Sequence, residues 1–176
     1  RHHVAVAHCP ESNMKLASGI APIPSLLEAG VCVGLATDGA ASNNDLDMIG
    51  ELQTAARLHK VSQGDPTILP APTVLEMATT RAARALGMQD RIGSLEVGKS
   101  ADLVIVRLDH PHLVPCYNPY SLIAYSLGRG DVDSVMINGR WVMRDQKVLT
   151  INEADLMLEI GRFSQRVQAW MATPKA

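Results

Sequence analysis

Apolar positions form short unbroken runs up to about residue 90, and alternating or helical patterns beyond it. Val4 to Ala7 is apolar and leads into His8, Cys9 and Pro10. A proline cannot donate to a ladder, so a strand is predicted to stop there. Residues 11–21 read as loop. Ser25 reads as the N-cap of a short helix closed by Gly30. Val31 to Thr37 is apolar almost without alternation, the pattern of a parallel strand buried on both faces. Strand, loop, helix and strand in this order predict a βαβ unit with a right-handed crossover.

Asp38 and Gly39 end the second strand, and the small residues 40–44 read as loop. A helix follows with Leu46, Ile49, Leu52 and Ala56 on one face. Pro66, Pro70 and Pro72 make 62–72 a loop, and Thr73 with Glu76 reads as a capping box opening a helix that runs to about Leu86 and stops at Gly87. Beyond it, Ile92 to Gly98 is turn-rich and Asp102 to Val106 is a strand. Ser134 to Ile137 and Arg140 to Met143 flank Asn138 and Gly139, a type I′ hairpin signal. Asn152 caps a long helix to about Met171 whose Leu156, Ile160, Phe163, Val167 and Trp170 form one stripe. That stripe is expected to dock, and folding straight back onto its own chain is the preferred arrangement.

Composition narrows the function classes. The chain has 176 residues, 47% of them hydrophobic, with 16 basic against 18 acidic residues. No basic block and only 3% aromatics argue against a nucleic-acid surface. No apolar run approaches the roughly 20 residues of a membrane span. Cys9, Cys32 and Cys116 are widely spaced and odd in number, which favours a reducing compartment over a disulfide scaffold. A strand directly after Arg1, His2 and His3 predicts a piece of a longer polypeptide.

Asp38 is the sharpest chemical candidate. A carboxylate just past the C-terminal end of a buried parallel strand can bind a divalent cation or accept a proton from water; it can equally cap its loop near Ser42. His8 ends the other strand on the same rim and can ligate, hydrogen-bond a substrate or simply pack. Ser12 and Asn13 offer hydroxyl and amide groups, or cap the proline loop. His110 and His112 have metal-ligand spacing, but follow a strand of the small β part and flank Pro111; they are read as no ligand pair. Gly93 to Ser100 matches a phosphate-loop pattern in letters only, because no strand precedes it, a strand follows it, and Glu96 would repel phosphate.

His8 to Asn13, Lys15 to Pro22 and Gly34 to Asp47, followed by Ile92 to Val106, resemble the amidohydrolase superfamily in its triazine-hydrolase and adenosine-type deaminase branch. The resemblance runs from residue 4 to about 150. It implies the C-terminal portion of a (β/α)8 TIM-type barrel over 1–90, part of a small β-sandwich domain over 91–150, and a C-terminal docking helix over 151–176. The strands ending at His8 and Thr37 would be the seventh and eighth of that barrel. Asp38 matches the family's metal-binding aspartate, which also shuttles protons, and His8 and Asn13 match pocket-lining, substrate-binding positions. The family's other ligands, an H-x-H on the first strand and histidines on the fifth and sixth, have no counterpart in this sequence. The implied activity is metal-dependent hydrolytic deamination of an adenosine-type, N-heterocyclic small molecule, with one divalent ion, zinc, in the cytoplasm. Chlorohydrolysis, or guanine or cytosine deamination, on the same scaffold is the alternative. A non-catalytic structural module is another. No nucleic-acid or membrane partner is expected, and a homo-oligomer is compatible.

Overall fold

The computed structural model describes residues 4–172; the opening Arg1, His2 and His3 lie outside them. The chain is a mixed α/β fold with two sheets. The first pairs β1 (Ala5–His8) with β2 (Cys32–Leu35) in parallel, Ala5 opposite Cys32 and His8 opposite Leu35. The second is antiparallel, in the order β3 (Leu103–Val106), β4 (Val132–Ile137), β5 (Arg140–Arg144) and β6 (Lys147–Val148). Between β1 and β2 lie α1 (Pro10–Lys15) and α2 (Ile23–Glu28). After β2 come α3 (Ala40–Asn43), α4 (Met48–Gln63), α5 (Ala71–Ala78) and α6 (Thr80–Ala85). The remaining α-helices among the described residues are α7 (Pro119–Tyr125) and α8 (Glu153–Ala172).

The unalternating apolar run from Val31 becomes β2, whose Val33, Gly34 and Leu35 are all buried. The core beneath the parallel pair is Ile23, Val33, Ala55, Ala56, Val74 and Met77, all fully buried. Each of the larger side chains there contributes about 1.5–3 kcal/mol by leaving water. Gly34 sits where α6 crosses β2: a Cβ there would lie 2.9 Å from Ala82 Cα. Only a residue without a side chain lets α6 approach so closely.

Several boundaries differ from the sequence expectation, mostly at prolines. Pro10 does end β1, but it also opens α1, because a missing N–H is no loss in the first helical turn. Residues 11–15 are therefore helix where loop was expected. By the same rule Pro24 and Pro72 lie in the first turns of α2 and α5. Ser25 is thus inside α2 rather than its cap, and Thr73 opens no capping box because Pro70 is the N-cap of α5. Residues 40–43 form the single helical turn α3 rather than loop. The helix expected to run to Leu86 breaks at Thr79, whose hydroxyl donates to the Leu75 carbonyl at 2.7 Å. Leu46 precedes α4 and is exposed, so the buried face of α4 is Leu52, Ala55 and Ala56 instead.

Other local signals hold. Gly30 and Gly87 adopt positive φ just past α2 and α6. Asn138 and Gly139 also have positive φ, 48° and 76°, as a type I′ turn demands. Asn152 Oδ1 accepts from the N–H groups of Ala154 and Asp155 at the start of α8. The stripe on α8 is a different matter. No residue of α8 is buried, and Phe163 is 62% exposed. Among the described residues the stripe is not buried against the rest of the chain, so the preferred fold-back arrangement is not seen here. No helix among the described residues is long and apolar enough to cross a membrane.

Candidate active site

Asp38 stands at the C-terminal end of β2 in the left-handed backbone region, φ +63°. Asp is one of the few residues that tolerates this conformation. The turn throws its carboxylate out beyond the sheet, exposed, on the rim where β1 also ends. Ser42 Oγ donates to Oδ2 at 2.6 Å and Ser12 Oγ donates to the same oxygen at 2.9 Å. Ser42, the Gly39 backbone N–H and Ser12, in that order of weight, hold the carboxyl below its usual range, so it is ionised at neutral pH. Both serines act on Oδ2, which leaves Oδ1 as the oxygen that neither engages. An ionised, outward carboxylate with such an oxygen fits an oxygen donor to a divalent cation.

Asn13 is half-buried on α1, next to Ser12, and so lies beside the carboxylate's support. His8 is only 2% exposed and its Nε2 lies 3.0 Å from His59 Nε2 on α4. One ring donates to the other, so both are neutral. Burial first, and His59 second, push His8 down to about 4; burial lowers His59 too. His59 Nδ1 has no hydrogen-bond partner among the described residues. The His8 ring packs between β1 and α4 with its Nε2 on His59, and its pocket-lining role stays a proposal. Cys9 beside it is no thiolate, because burial, then Glu51 and Asp38, raise its thiol.

Three neighbours of the site were not singled out in the sequence. Glu51 is 0% exposed, yet it is a carboxylate. Its Oε2 accepts from the Glu11 N–H at 3.1 Å and its Oε1 from Asn43 Nδ2 at 2.7 Å. The available signal was position: Glu51 and His59 share a helical face with the buried Ala55, and polar groups on a buried stripe need a reason. Lys15 Nζ reaches from α1 to the Ala41 carbonyl at 2.9 Å and to Asn44 Oδ1, a further tie between the two loops.

His110 and His112 do converge, on Asp131, which the sequence reading missed. His110 Nδ1 is 2.6 Å from Asp131 Oδ1, and His112 Nε2 is 3.0 Å from Oδ2. Oδ2 also accepts the Gly128 N–H at 2.7 Å. The donor atoms lie within 4.8 Å of one another, so the three side chains could hold an ion. The spacing is that of hydrogen bonds, however: ligand atoms about 2.0–2.2 Å from a tetrahedral zinc sit about 3.3 Å apart. Asp131 is 3% exposed and held far below the usual carboxylate range by Gly128, then His112 and His110, which describes a clasp closing the loop onto β4. In the full-length protein, His110→Ala with His112→Ala leaves the zinc content per chain unchanged. Elemental analysis after dialysis measures this, and loss of a full equivalent would make the clasp a metal site.

Comparison with known proteins supplies the wider frame. The sequence profile described as "Amidohydrolase family" matches residues 1–142. The chain is 57% identical over 167 residues to the 5-methylthioadenosine/S-adenosylhomocysteine deaminase of Desulforudis audaxviator, covering 95% of this chain and 39% of that protein. An adenosine deaminase from Xanthomonas campestris, solved with bound zinc, superposes with a TM-score of 0.91 at 44% identity. That match covers 94% of this chain and 38% of the other. The atrazine chlorohydrolase of Arthrobacter aurescens, complexed with zinc, gives 0.83 at 30% identity over 89% of this chain and 35% of that one. The chain thus spans about two fifths of the length of the curated relatives it matches.

Proposed function

The chain belongs to the amidohydrolase family, and on that premise we propose that it is the C-terminal portion of a zinc-dependent hydrolytic deaminase acting on adenosine-type nucleosides, of which 5-methylthioadenosine and S-adenosylhomocysteine are the leading candidates. In this reading β1 and β2 are the seventh and eighth strands of a (β/α)8 barrel. The antiparallel sheet is part of the small β domain. A cytoplasmic location accords with three free cysteines.

The observation that carries the reading is Asp38: an ionised carboxylate at the end of a buried parallel strand, braced on one oxygen by two serines and presented to solvent. Zinc, when bound, supplies Lewis-acid polarisation. Asp38 contributes one donor oxygen, and the sequence has no counterpart of the family's other ligands. The net chemistry exchanges the ring amine for oxygen: a C–O bond forms from water, the C–N bond breaks, and ammonia leaves. Asp38 accepts a proton from the attacking water and returns it to the departing nitrogen, which needs a carboxylate that is charged at rest. Ser12 and Ser42 keep it charged. In this reading Asn13, one position from Ser12, offers its amide to the substrate.

The test is ammonia release by the zinc-loaded full-length protein from 5-methylthioadenosine, S-adenosylhomocysteine and adenosine, with atrazine in parallel. Release from an adenosine-type compound is expected. Chloride release from atrazine without ammonia from any nucleoside would turn the reading to the chlorohydrolase alternative, and inactivity on all four would end it.

A further inference from the structure

We propose that Glu51 is a positioning residue for the reaction, holding the Asp38 carboxylate in place through both of the loops that support it. The inference rests on the role given to Asp38 above.

Each arm of Glu51 ends one residue from a serine that binds Asp38. Oε2 accepts from the N–H of Glu11, and the next residue, Ser12, donates to Asp38 Oδ2. Oε1 accepts from the side chain of Asn43, and the preceding residue, Ser42, donates to the same Oδ2. One arm grips the loop after β1 and the other the loop after β2. The first is doubled: Thr54 Oγ1, also on α4, donates to Glu11 Oε1 at 2.8 Å. Asn43 in turn accepts the Leu46 N–H, which fixes the exit of its loop. Glu51 itself sits in the first turn of α4, whose Asp47 cap and buried stripe hold it rigid.

A purely structural account is hard to sustain on energetic grounds. A buried carboxylate costs several kcal/mol of desolvation, and an apolar side chain would fill the same slot on α4 more cheaply. Burial does push the Glu51 carboxyl up, to about 7, against the pull of the Glu11 N–H and Asn43. Both oxygens accept from N–H donors, one on each loop, so each arm uses an acceptor that the carboxyl group supplies. What the carboxylate secures is two acceptors on one rigid group, which sets the distance between Ser12 and Ser42. A drift of about 1 Å in a catalytic group can cost roughly 10²-fold in rate.

The experiment uses the zinc-loaded full-length protein. Glu51→Gln keeps the shape but turns an NH2 toward one of the two donors, so one arm opens. The expected result is a fall in kcat of about 10-fold with KM within about twofold, and faster zinc loss to a chelator. In an Asp38→Asn background the same substitution is expected to cost nothing further, because it acts only through Asp38. Asn43→Ser cuts the second arm alone and decides by the same criteria if Glu51→Gln does not fold. Wild-type kcat in a folded variant, or an equal loss with and without the Asp38 carboxylate, overturns the proposal. Failure of the Asp38 reading is told apart: Asp38→Asn would then itself turn over normally.

Discussion

Asp38→Asn in the full-length protein lowers kcat by about 10²-fold or more and leaves the fold intact. The fold survives because asparagine shares the two properties the turn relies on. It tolerates a left-handed backbone like the φ of +63° at this position. Its side-chain oxygen can also accept from Ser42 and Ser12 as the carboxylate does. What asparagine lacks is the negative charge and the capacity to take a proton. Removing a general base typically costs about 10²–10⁴-fold in rate, and one cation donor weakens with it. Steady-state ammonia release and a denaturation midpoint measured on the same preparation separate chemistry from stability. Near-normal turnover in the variant would make Asp38 a loop cap, the role its bond to Ser42 would then describe in full.

The second large effect is expected in acid, through the His8–His59 pair. His8 is held down to about 4 in the fold against its ordinary 6.5. The unfolded chain therefore binds a proton between those values that the folded chain refuses. Stability from this group is complete above pH 6.5 and is lost as pH falls toward 4. A depression of this size corresponds to about 3 kcal/mol. Glu51 titrates in the opposite sense: its folded value is raised from 4.5 to about 7, so acid relieves a strain that neutral pH imposes. The two nearly cancel in the wild type, and the informative quantity is a difference. Relative to His8→Leu with His59→Met, the wild type should lose about 3 kcal/mol of unfolding free energy between pH 7 and pH 4. Urea titrations of both proteins at the two pH values measure it. Parallel pH profiles would mean that the histidines carry no titration penalty.

Much of the local architecture was legible in the sequence because it depends on a few adjacent residues. The run from Val31 gave the buried strand, since a strand covered on both faces has no polar alternation. Asn138 with Gly139 located the hairpin, and Gly30 and Gly87 located two helix ends, because only certain residues accept positive φ. Asp38 stood out for its place at a strand end. Local rules also had two readings: Pro10 stops a strand and starts a helix, and only the second meaning revealed α1. The helix α7 went unread although Asn118 caps it by accepting the Ser121 N–H and Pro119 stands in its first turn.

What surrounds Asp38 was decided by tertiary structure. Ser12 reaches it across 26 positions and Glu51 reaches the Glu11 N–H across 40. Such contacts exist only because β1 lies in register beside β2 and α4 packs against α1. The same holds for His8 with His59, and for Asp131 with its two histidines. It holds also for the α8 stripe, whose periodicity marked an apolar face but could not say what the face meets. The sequence by itself determined which residues could form a strand, a turn or a cap, and which carboxylate stood at a strand end. Those choices follow from backbone sterics and hydrophobic period over a few residues. Tertiary structure alone decided which polar groups meet across the fold, because a hydrogen bond needs atoms within about 3 Å. Separation along the chain carries no information about that distance until the core has packed.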